Sequence, residues 1–307
     1  MTTASGSNTL TRSENIPLGI GLMVLGMFLF SVNDVIGKWL AATYTVGQIL
    51  LFRSLAASVV LVPVVRRKGV AELTRLPRPL LQALRVFFAV AETACFYAAV
   101  AMLPLADAIT YYLAGPIYVT VLAAFLLGEH VGWRRWAAVL IGFVGVVLAL
   151  QPSASVFGWH AIIALVGSFL YALLMITTRV LRGTPDLNLT AWQIFGGLLF
   201  GVLAAPIGWV PFVRVTDVLL LGFLGVVALI AIYCVNRSLI LAPASAVVPY
   251  QYTLIVWGVL FGYLAFGDVP DPLTVVGGII IVGAGLFIFF REQRVGRVHK
   301  EDVVTGP

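Results

Sequence analysis

The sequence predicts an all-α membrane protein in which ten transmembrane helices form two inverted five-helix repeats. Three observations support this fold class. Hydrophobic residues make up 61% of the 307 residues and charged residues only 10%, whereas a soluble domain carries about 25% charged residues. Apolar runs of the roughly 20 residues that cross a bilayer as a helix recur along the chain. Short patterns in the first half also return in the second half, as described below.

Proline, glycine and charged residues bound five predicted spans in the first half. The first span begins at Pro17 and stops before Lys38, and the second stops before the basic run that starts at Arg66. Pro79 precedes the third span, and Gly128 follows the fourth. The predicted bounds are 17–37, 46–65, 80–101, 107–127 and 133–150. Residues 1–16 form a predicted cytoplasmic tail, and residues 17–150 form the first repeat.

The same kinds of breaks bound five spans in the second half. Pro185 precedes the seventh span, Arg214 the eighth and Pro243 the ninth, which ends before Gly267. The predicted bounds are 158–180, 189–209, 217–240, 244–265 and 272–290. Residues 158–290 form the second repeat, and residues 291–307 form a second cytoplasmic tail.

Composition and motifs exclude several classes of protein. A transmembrane β-barrel would show strands of about ten residues with alternating polarity. The net charge of +6 comes from basic residues between apolar runs, so we expect a lipid bilayer and a small molecule as partners, and no nucleic acid. Cys95 and Cys234 lie within apolar stretches, which argues against a disulfide, a metal site or a cofactor. Metalloprotease and P-loop motifs are missing, so neither a catalytic site nor ATP-driven pumping is expected.

The loops predict the orientation in the membrane. If the N-terminus is cytoplasmic, the outer loops hold Lys38 and Arg214. The cytoplasmic segments then hold Arg12, Arg66, Arg67, Lys68, Arg75, Arg78, Arg134, Arg135, Arg179, Arg182, Arg291, Arg294, Arg297 and Lys300. Because lysine and arginine concentrate in cytoplasmic loops, both termini are predicted to be cytoplasmic. Residues 1–16 lack the pattern of a cleaved signal peptide, so the first span is expected to be retained.

Four pairs of landmarks indicate the internal repeat. Gly26-Met-Phe-Leu-Phe-Ser31 resembles Gly167-Ser-Phe-Leu-Tyr-Ala172, and the same shift of 141 places Lys38 on Arg179. The segments that begin at Ala106 and Ala244, and the pairs that begin at Gly128 and Gly267, match at shifts of 138 and 139. Five spans are an odd number, so the second copy enters the membrane in the opposite direction. Inverted repeats are typical of secondary transporters.

Motifs at these positions resemble the drug/metabolite transporter superfamily, in its branch with two EamA-type domains. The first half carries Arg53, Gly115-Pro116, Leu127-Gly128-Glu129 and small residues from Ala138 to Gly145. The second half carries Ala265-Phe-Gly267-Asp268 and small residues from Gly277 to Ala284. Two positions depart from the pattern: Asp268 replaces a glutamate, and Leu254 stands where the second half should match Pro116.

The resemblance implies a secondary transporter in a bacterial inner membrane. It is most similar to YddG-type exporters of aromatic and other neutral amino acids, so we expect export of small neutral, aromatic or hydrophobic, amino acids by alternating access. Export of drugs or other metabolites, a membrane-embedded enzyme and a channel are the alternatives. Small residues along the fifth and tenth spans could pack within a monomer or across a homodimer.

Charged residues within the spans are the first candidates for a site, because a charge in hydrocarbon needs a partner or a purpose. Glu92 lies near the middle of the third span and could bind a substrate amine, carry a proton, or pair with Arg85 or Arg53. Arg53 lies in the same layer as Asp34. We interpret Asp34 and Arg53 as a structural ion pair, with recognition of a substrate carboxylate by Arg53 as the alternative.

Aromatic residues at helical spacing are candidates for a cavity wall. Tyr111 and Tyr118 share a face of the fourth span, where Pro116 should free the carbonyl of Tyr112. The ninth span, equivalent in the repeat, presents Tyr250 and Trp257.

The sixth span adds Tyr171, and the eighth adds Tyr233 and Asn236. Each tyrosine could instead pack between helices or lie at the membrane interface.

Overall fold

The computed structural model describes residues 15–74, 76–102, 105–129, 131–150 and 159–266, with residues 272, 273, 275–281, 283, 284 and 287. Over this part of the chain the secondary structure is helical, without a β-strand. The helices are α1 (Ile16–Ala41), α2 (Val46–Lys68), α3 (Ala71–Thr74), α4 (Pro79–Met102), α5 (Leu105–Tyr112), α6 (Gly115–Leu126), α7 (Trp133–Leu150), α8 (Trp159–Val180), α9 (Asp186–Ala204), α10 (Val215–Leu241), α11 (Ala244–Val247) and α12 (Thr253–Phe266). A 3₁₀ helix, Val248–Tyr252, joins α11 to α12.

Six of these helices are long and apolar enough to cross a membrane: α1, α2, α4, α8, α9 and α10. They coincide with the predicted first, second, third, sixth, seventh and eighth spans. The fourth predicted span is divided into α5 and α6, and the ninth into α11, the 3₁₀ helix and α12. The fifth corresponds to α7. The tenth span lies only partly within the described residues, and both predicted tails lie almost entirely outside them, so the count of ten remains a prediction.

Prolines mark the two divided spans. Pro116 lies in the first turn of α6, and Pro249 lies within the 3₁₀ helix. Because proline has no backbone N–H and its ring clashes with the preceding turn, a continuous α-helix is interrupted near it. The interruption at Pro249 was not expected at that position, because the matching in the repeat placed Leu254 opposite Pro116.

The start of α2 is fixed by a capping box. The Gln48 backbone N–H donates to Thr45 Oγ1, while Gln48 Oε1 accepts from the Thr45 backbone N–H. Gln48 also bonds both backbone groups of Val210, at 2.7 and 3.0 Å. These contacts fix the axial position of α2, and thereby the depth of Arg53 two turns further along.

The most extensive helix contacts join the two halves of the chain. Helix α1 packs against α10, α4 against α8, and α2 against α9. Glycine permits the closest approaches, since it has no side chain. At Gly47 and Gly201 an added Cβ would lie 2.5 Å from backbone atoms of the facing helix in the α2–α9 pair.

Gly225 provides a test of this packing. A Cβ at Gly225 would overlap the carbonyl oxygen of Arg53 on α2, whereas a Cβ at Gly222 on the same helix would meet no atom within 4 Å. Gly225→Ala is therefore expected to destabilise the protein by about 1–3 kcal/mol. Gly222→Ala, the matched control, should leave stability unchanged or raise it slightly. Thermal unfolding in detergent measures both, and equal melting temperatures would contradict the packing.

Candidate functional site

A cavity lies between the two halves, about midway along α8. Its empty volume is about 950 Å³, counted to its open mouth. Helices α1, α2, α4 and α5 border it from the first half, and α8, α9, α10, the 3₁₀ helix and α12 from the second. The lining residues are Met27, Phe30, Asn33, Asp34, Arg53, Glu92, Thr93, Phe96, Tyr97, Ile109, Tyr112, Leu113, Tyr171, Leu174, Met175, Gln193, Ile232, Val235, Asn236, Gln251 and Leu254.

Two acids and one base face the cavity. Asp34, Arg53 and Glu92 all line it and interact electrostatically. The predicted Asp34–Arg53 ion pair is not formed, since no nitrogen–oxygen distance between these residues is within 4.0 Å; Arg53 Nη1 instead lies 3.5 Å from the Tyr97 hydroxyl oxygen. Glu92 Oε2 accepts from Thr93 Oγ1 at 3.0 Å. The three charged side chains therefore remain accessible to a solute in the cavity.

Neutral polar groups and aromatic rings complete the wall. Gln251 Nε2 donates to the Tyr171 hydroxyl at 3.1 Å. The Tyr112 hydroxyl donates to the backbone carbonyl of Glu92 at 3.0 Å, and its ring packs edge-on against Phe96. The apolar part of the wall contains Phe30 together with methionine, leucine and isoleucine side chains. Such a mixture of a few polar groups in an apolar surface is typical of small-molecule sites.

Arg85 lies behind the wall and is completely buried. Its guanidinium donates to Gln193 Oε1 at 2.9 Å and to Asn236 Oδ1 at 2.7 Å, and both of these amides line the cavity. It also donates to Thr178 Oγ1 at 2.7 Å and to the Leu189 carbonyl at 2.9 Å. The sequence suggested Arg85 as a partner of Glu92, but these four acceptors are its partners instead.

The interrupted helices explain two errors of one residue in the prediction. Tyr112 and Gln251 line the cavity, where the sequence pattern selected Tyr111 and Tyr250. That pattern assumed continuous helices, and an interruption rotates the side chains that follow or precede it. The expected free carbonyl of Tyr112 does exist, but it accepts a hydrogen bond from Ser168 Oγ at 3.0 Å.

Three of the eight predicted cavity residues, Glu92, Tyr171 and Asn236, line the cavity, and the other five lie elsewhere. Tyr111 packs against a small cluster of alanines, and Tyr118 packs edge-on against Phe169. Tyr250 belongs to the main hydrophobic cluster. Trp257 packs edge-on against Phe28.

Tyr233 is 44% exposed on the outside of α10. The cavity-facing stripe of this helix consists of Ile232, Val235 and Asn236. Tyr233 follows Ile232 by one residue, which is about 100° around the helix.

Sequence reasoning also missed Gln193 and the role of Arg85. Both are polar residues inside predicted spans, so the cost of burying such groups could have identified them.

One end of the molecule, here called the basic end, contains the loops 69–78 and 181–185 and Glu129. The Glu129 carboxylate accepts from the backbone N–H groups of Ala244 and Ser245 at 3.1 and 3.0 Å, and from Ser245 Oγ at 2.6 Å. It also lies 3.6 Å from Arg179 Nε. Arg179 in turn donates to the carbonyls of Leu239 and Ile240. Glu129 therefore ties the first half to three elements of the second half.

Contacts at the opposite end involve other helices. The Tyr44 hydroxyl, in the loop after α1, donates to Asp217 Oδ2 at 2.6 Å and accepts from the Val213 backbone N–H. Burial and the bond to Asp217 raise the pKa of Tyr44 above its ordinary value, so this hydroxyl remains a donor at neutral pH.

Comparison with known proteins gives one family. The sequence profile of the EamA-like transporter family matches residues 17–151 and 158–290. The S-adenosylmethionine uptake transporter of Rickettsia bellii (strain RML369-C) is 26% identical over 90% of this chain and 95% of its own length. The riboflavin transporter of Rhizobium johnstonii is 29% identical over 89% and 91%. The pseudopaline exporter CntI of Pseudomonas aeruginosa is 30% identical over 87% and 94%.

A solved crystal structure shares the fold. It is 16% identical to this chain and superposes with a TM-score of 0.78, over 92% of this chain and 99% of its own. At this level of identity the likeness concerns the arrangement of helices and not the solute.

Proposed function

The chain belongs to the EamA-like transporter family, and from this premise we propose that it is a secondary transporter that exports small amino acids with aromatic or hydrophobic side chains. One observation carries the proposal: a cavity between the two halves places the carboxylates of Asp34 and Glu92 beside the rings of Phe30 and Phe96. The family and the relatives named above are transporters, which favours transport over catalysis.

The charges of the cavity suit a solute with an ammonium group. Asp34 and Glu92 are two acids against one cavity-facing base, Arg53. An ammonium placed between the carboxylates would form charge-assisted hydrogen bonds, which are about twice as strong as neutral ones. The aromatic and methionine side chains would then contact the apolar part of the solute.

The proposed architecture is that of two inverted repeats, residues 17–150 and 158–290, with five spans each. Two matches of the family profile, one in each half, support it. The helix pairs also agree with a two-fold relation: exchanging the halves converts the α1–α10 pair into the α8–α4 pair and leaves α2–α9 unchanged. In this proposal both termini lie on the cytoplasmic side of a bacterial inner membrane, because the basic end would be cytoplasmic.

Alternating access supplies the mechanism. The two halves would rock about the cavity, so that it opens first to one side of the membrane and then to the other. Glu129 and Arg179 would hold the cytoplasmic side closed in the present conformation, and their contacts would break when it opens. Glu92 would bind the ammonium group of the solute or carry a coupled proton.

Metabolites built on an amino acid are the second candidate class. S-adenosylmethionine, named for the Rickettsia relative, carries an amino-acid group, a sulfonium cation and a purine ring. A cavity with two acids and one base suits such a cation as well as it suits a simple amino acid. Relatives named for uptake and for export occur together, so the direction of transport needs its own measurement.

Counterflow in liposomes tests the proposed function. Purified protein is reconstituted with excess unlabelled L-phenylalanine inside, and the entry of labelled L-phenylalanine, S-adenosylmethionine or riboflavin is followed. Saturable entry of phenylalanine that depends on the internal amino acid is expected. Entry of S-adenosylmethionine alone would support the second candidate, and entry of neither would contradict both.

Tyr171→Phe is expected to weaken L-phenylalanine binding about 2- to 10-fold. The change removes the hydroxyl that Gln251 binds in the cavity wall, and a neutral hydrogen bond contributes about 0.5–1.5 kcal/mol. Tyr118→Phe is the matched control, since Tyr118 packs against Phe169 outside the cavity. Calorimetric titration measures both, and a larger loss in Tyr118→Phe would contradict the assignment of the cavity.

A further inference from the structure

Arg85 is a buried cation without a counter-ion. It is 0% exposed, and no carboxylate of the described residues lies within 4.0 Å of its guanidinium. Four neutral acceptors bind four of its N–H groups. Hydrogen bonds to neutral groups satisfy the donors but leave the positive charge uncompensated, and an uncompensated buried charge is costly. An anion close to Arg85 would remove that cost.

Arg85 determines how two cavity amides are oriented. A guanidinium donates and never accepts, so the oxygens of Gln193 and Asn236 must face it and their NH₂ groups must point away. Asn236 Nδ2 donates to Thr190 Oγ1 at 3.3 Å. Gln193 Nε2 has no hydrogen bond to any described residue and is not fully buried, while Gln193 lines the cavity. Gln193 therefore presents a donor to the contents of the cavity.

Arg53 differs from Arg85 in its charge balance. Arg53 interacts electrostatically with both Asp34 and Glu92, so its charge is already opposed by two acids of the cavity. The carboxylates and the uncompensated cation thus belong to separate parts of the site: the acids lie on α1 and α4, and the amide held by Arg85 lies on α9.

We propose that Gln193 Nε2 binds the carboxylate of the transported solute, and that Arg85 positions Gln193 and supplies the opposing charge from behind the wall. The ammonium group then lies at Asp34 and Glu92. The cavity accordingly selects zwitterions and holds them in one orientation. Arg85 is a positioning residue, because Gln193 and Asn236 separate it from the solute. This inference rests on the proposed function and deepens it by naming the substrate class.

Two probes that differ only in the carboxylate test the proposal. L-Phenylalanine has both charged groups, and phenethylamine lacks the carboxylate. Isothermal titration of the purified wild-type protein is expected to give at least about tenfold tighter binding of phenylalanine, because a hydrogen bond to a charged group contributes that much. Gln193→Met, which keeps the size of the side chain, should weaken phenylalanine binding about tenfold and leave phenethylamine binding unchanged.

Gln193→Glu tests the charge of Arg85. The new carboxylate would pair with Arg85 and repel the carboxylate of phenylalanine, so this variant should prefer phenethylamine. Gln251→Met is the matched control, because Gln251 is a cavity amide that binds Tyr171 and not Arg85. It should change the binding of both probes by the same factor.

Three results would overturn the inference. Equal losses for the two probes in Gln193→Met would give Gln193 a structural role only, and a retained preference for phenylalanine in Gln193→Glu would remove the role of Arg85. In either case the proposed function would stand. Wild-type protein that is folded and binds neither probe would contradict the amino-acid assignment, and this inference would fall with it.

Discussion

Replacing Asp34 with asparagine and Glu92 with glutamine in one protein is expected to weaken L-phenylalanine binding by at least about 100-fold. Both side chains face the cavity, and both would oppose the ammonium group. Each charge-assisted hydrogen bond contributes about 1.5–3 kcal/mol, so two of them together correspond to a factor of about 100 or more. Isothermal titration of the purified variant measures the loss.

A probe without the ammonium group separates recognition from damage to the cavity. 3-Phenylpropionate keeps the ring and the carboxylate, so its binding should not weaken in the double variant. Asp186→Asn is the control on the protein side, because Asp186 pairs with Arg237 at 2.6 Å outside the cavity. Equal losses for phenylalanine and phenylpropionate would show that the two acids do not recognise the amine.

Glu129→Ala is expected to open the basic end of the molecule. Glu129 and Arg179 are largely buried, with side chains 13% and 7% exposed, and breaking a buried ion pair by removing one partner costs about 3–5 kcal/mol. The variant also loses the bonds to Ala244 and Ser245 at the start of α11. Amide hydrogen exchange in residues 239–252 should therefore accelerate at least about tenfold.

Asp186→Ala is the matched change for this second prediction. It removes another acid of an ion pair at the same end, but Asp186 and Arg237 both belong to the second half. Exchange in residues 239–252 should then change much less than in Glu129→Ala. Similar acceleration in the two variants would mean that Glu129 does not hold the halves together.

The long helices could be predicted from the sequence because lipid imposes a simple requirement. A segment that spans hydrocarbon must bond its own backbone and be about 20 residues long, and composition alone reveals such segments. Six predicted spans coincide with long apolar helices. The 3₁₀ helix at Pro249 depends on packing against α1 and α6, which periodicity does not contain.

The cavity was only partly predictable for a related reason. The cost of burying charge selected Glu92, Asp34 and Arg53 as important residues, and all three line the cavity. That cost does not say which partner satisfies a charge, so the Asp34–Arg53 pair was wrong in its geometry. Choosing which tyrosines face the cavity required the rotation of each helix, and the interruption at Pro116 changed that rotation within the fourth span.

The central claim is that this cavity opens alternately to the two sides of the membrane and binds the solute. Leu254 lines the cavity without a polar contact, so Leu254→Cys in a variant lacking Cys95 and Cys234 provides a reporter. A membrane-impermeant maleimide, applied separately to each face of oriented vesicles, should label this cysteine from both faces, and L-phenylalanine should slow the labelling. Labelling from one face only, or labelling that no solute slows, would contradict the account.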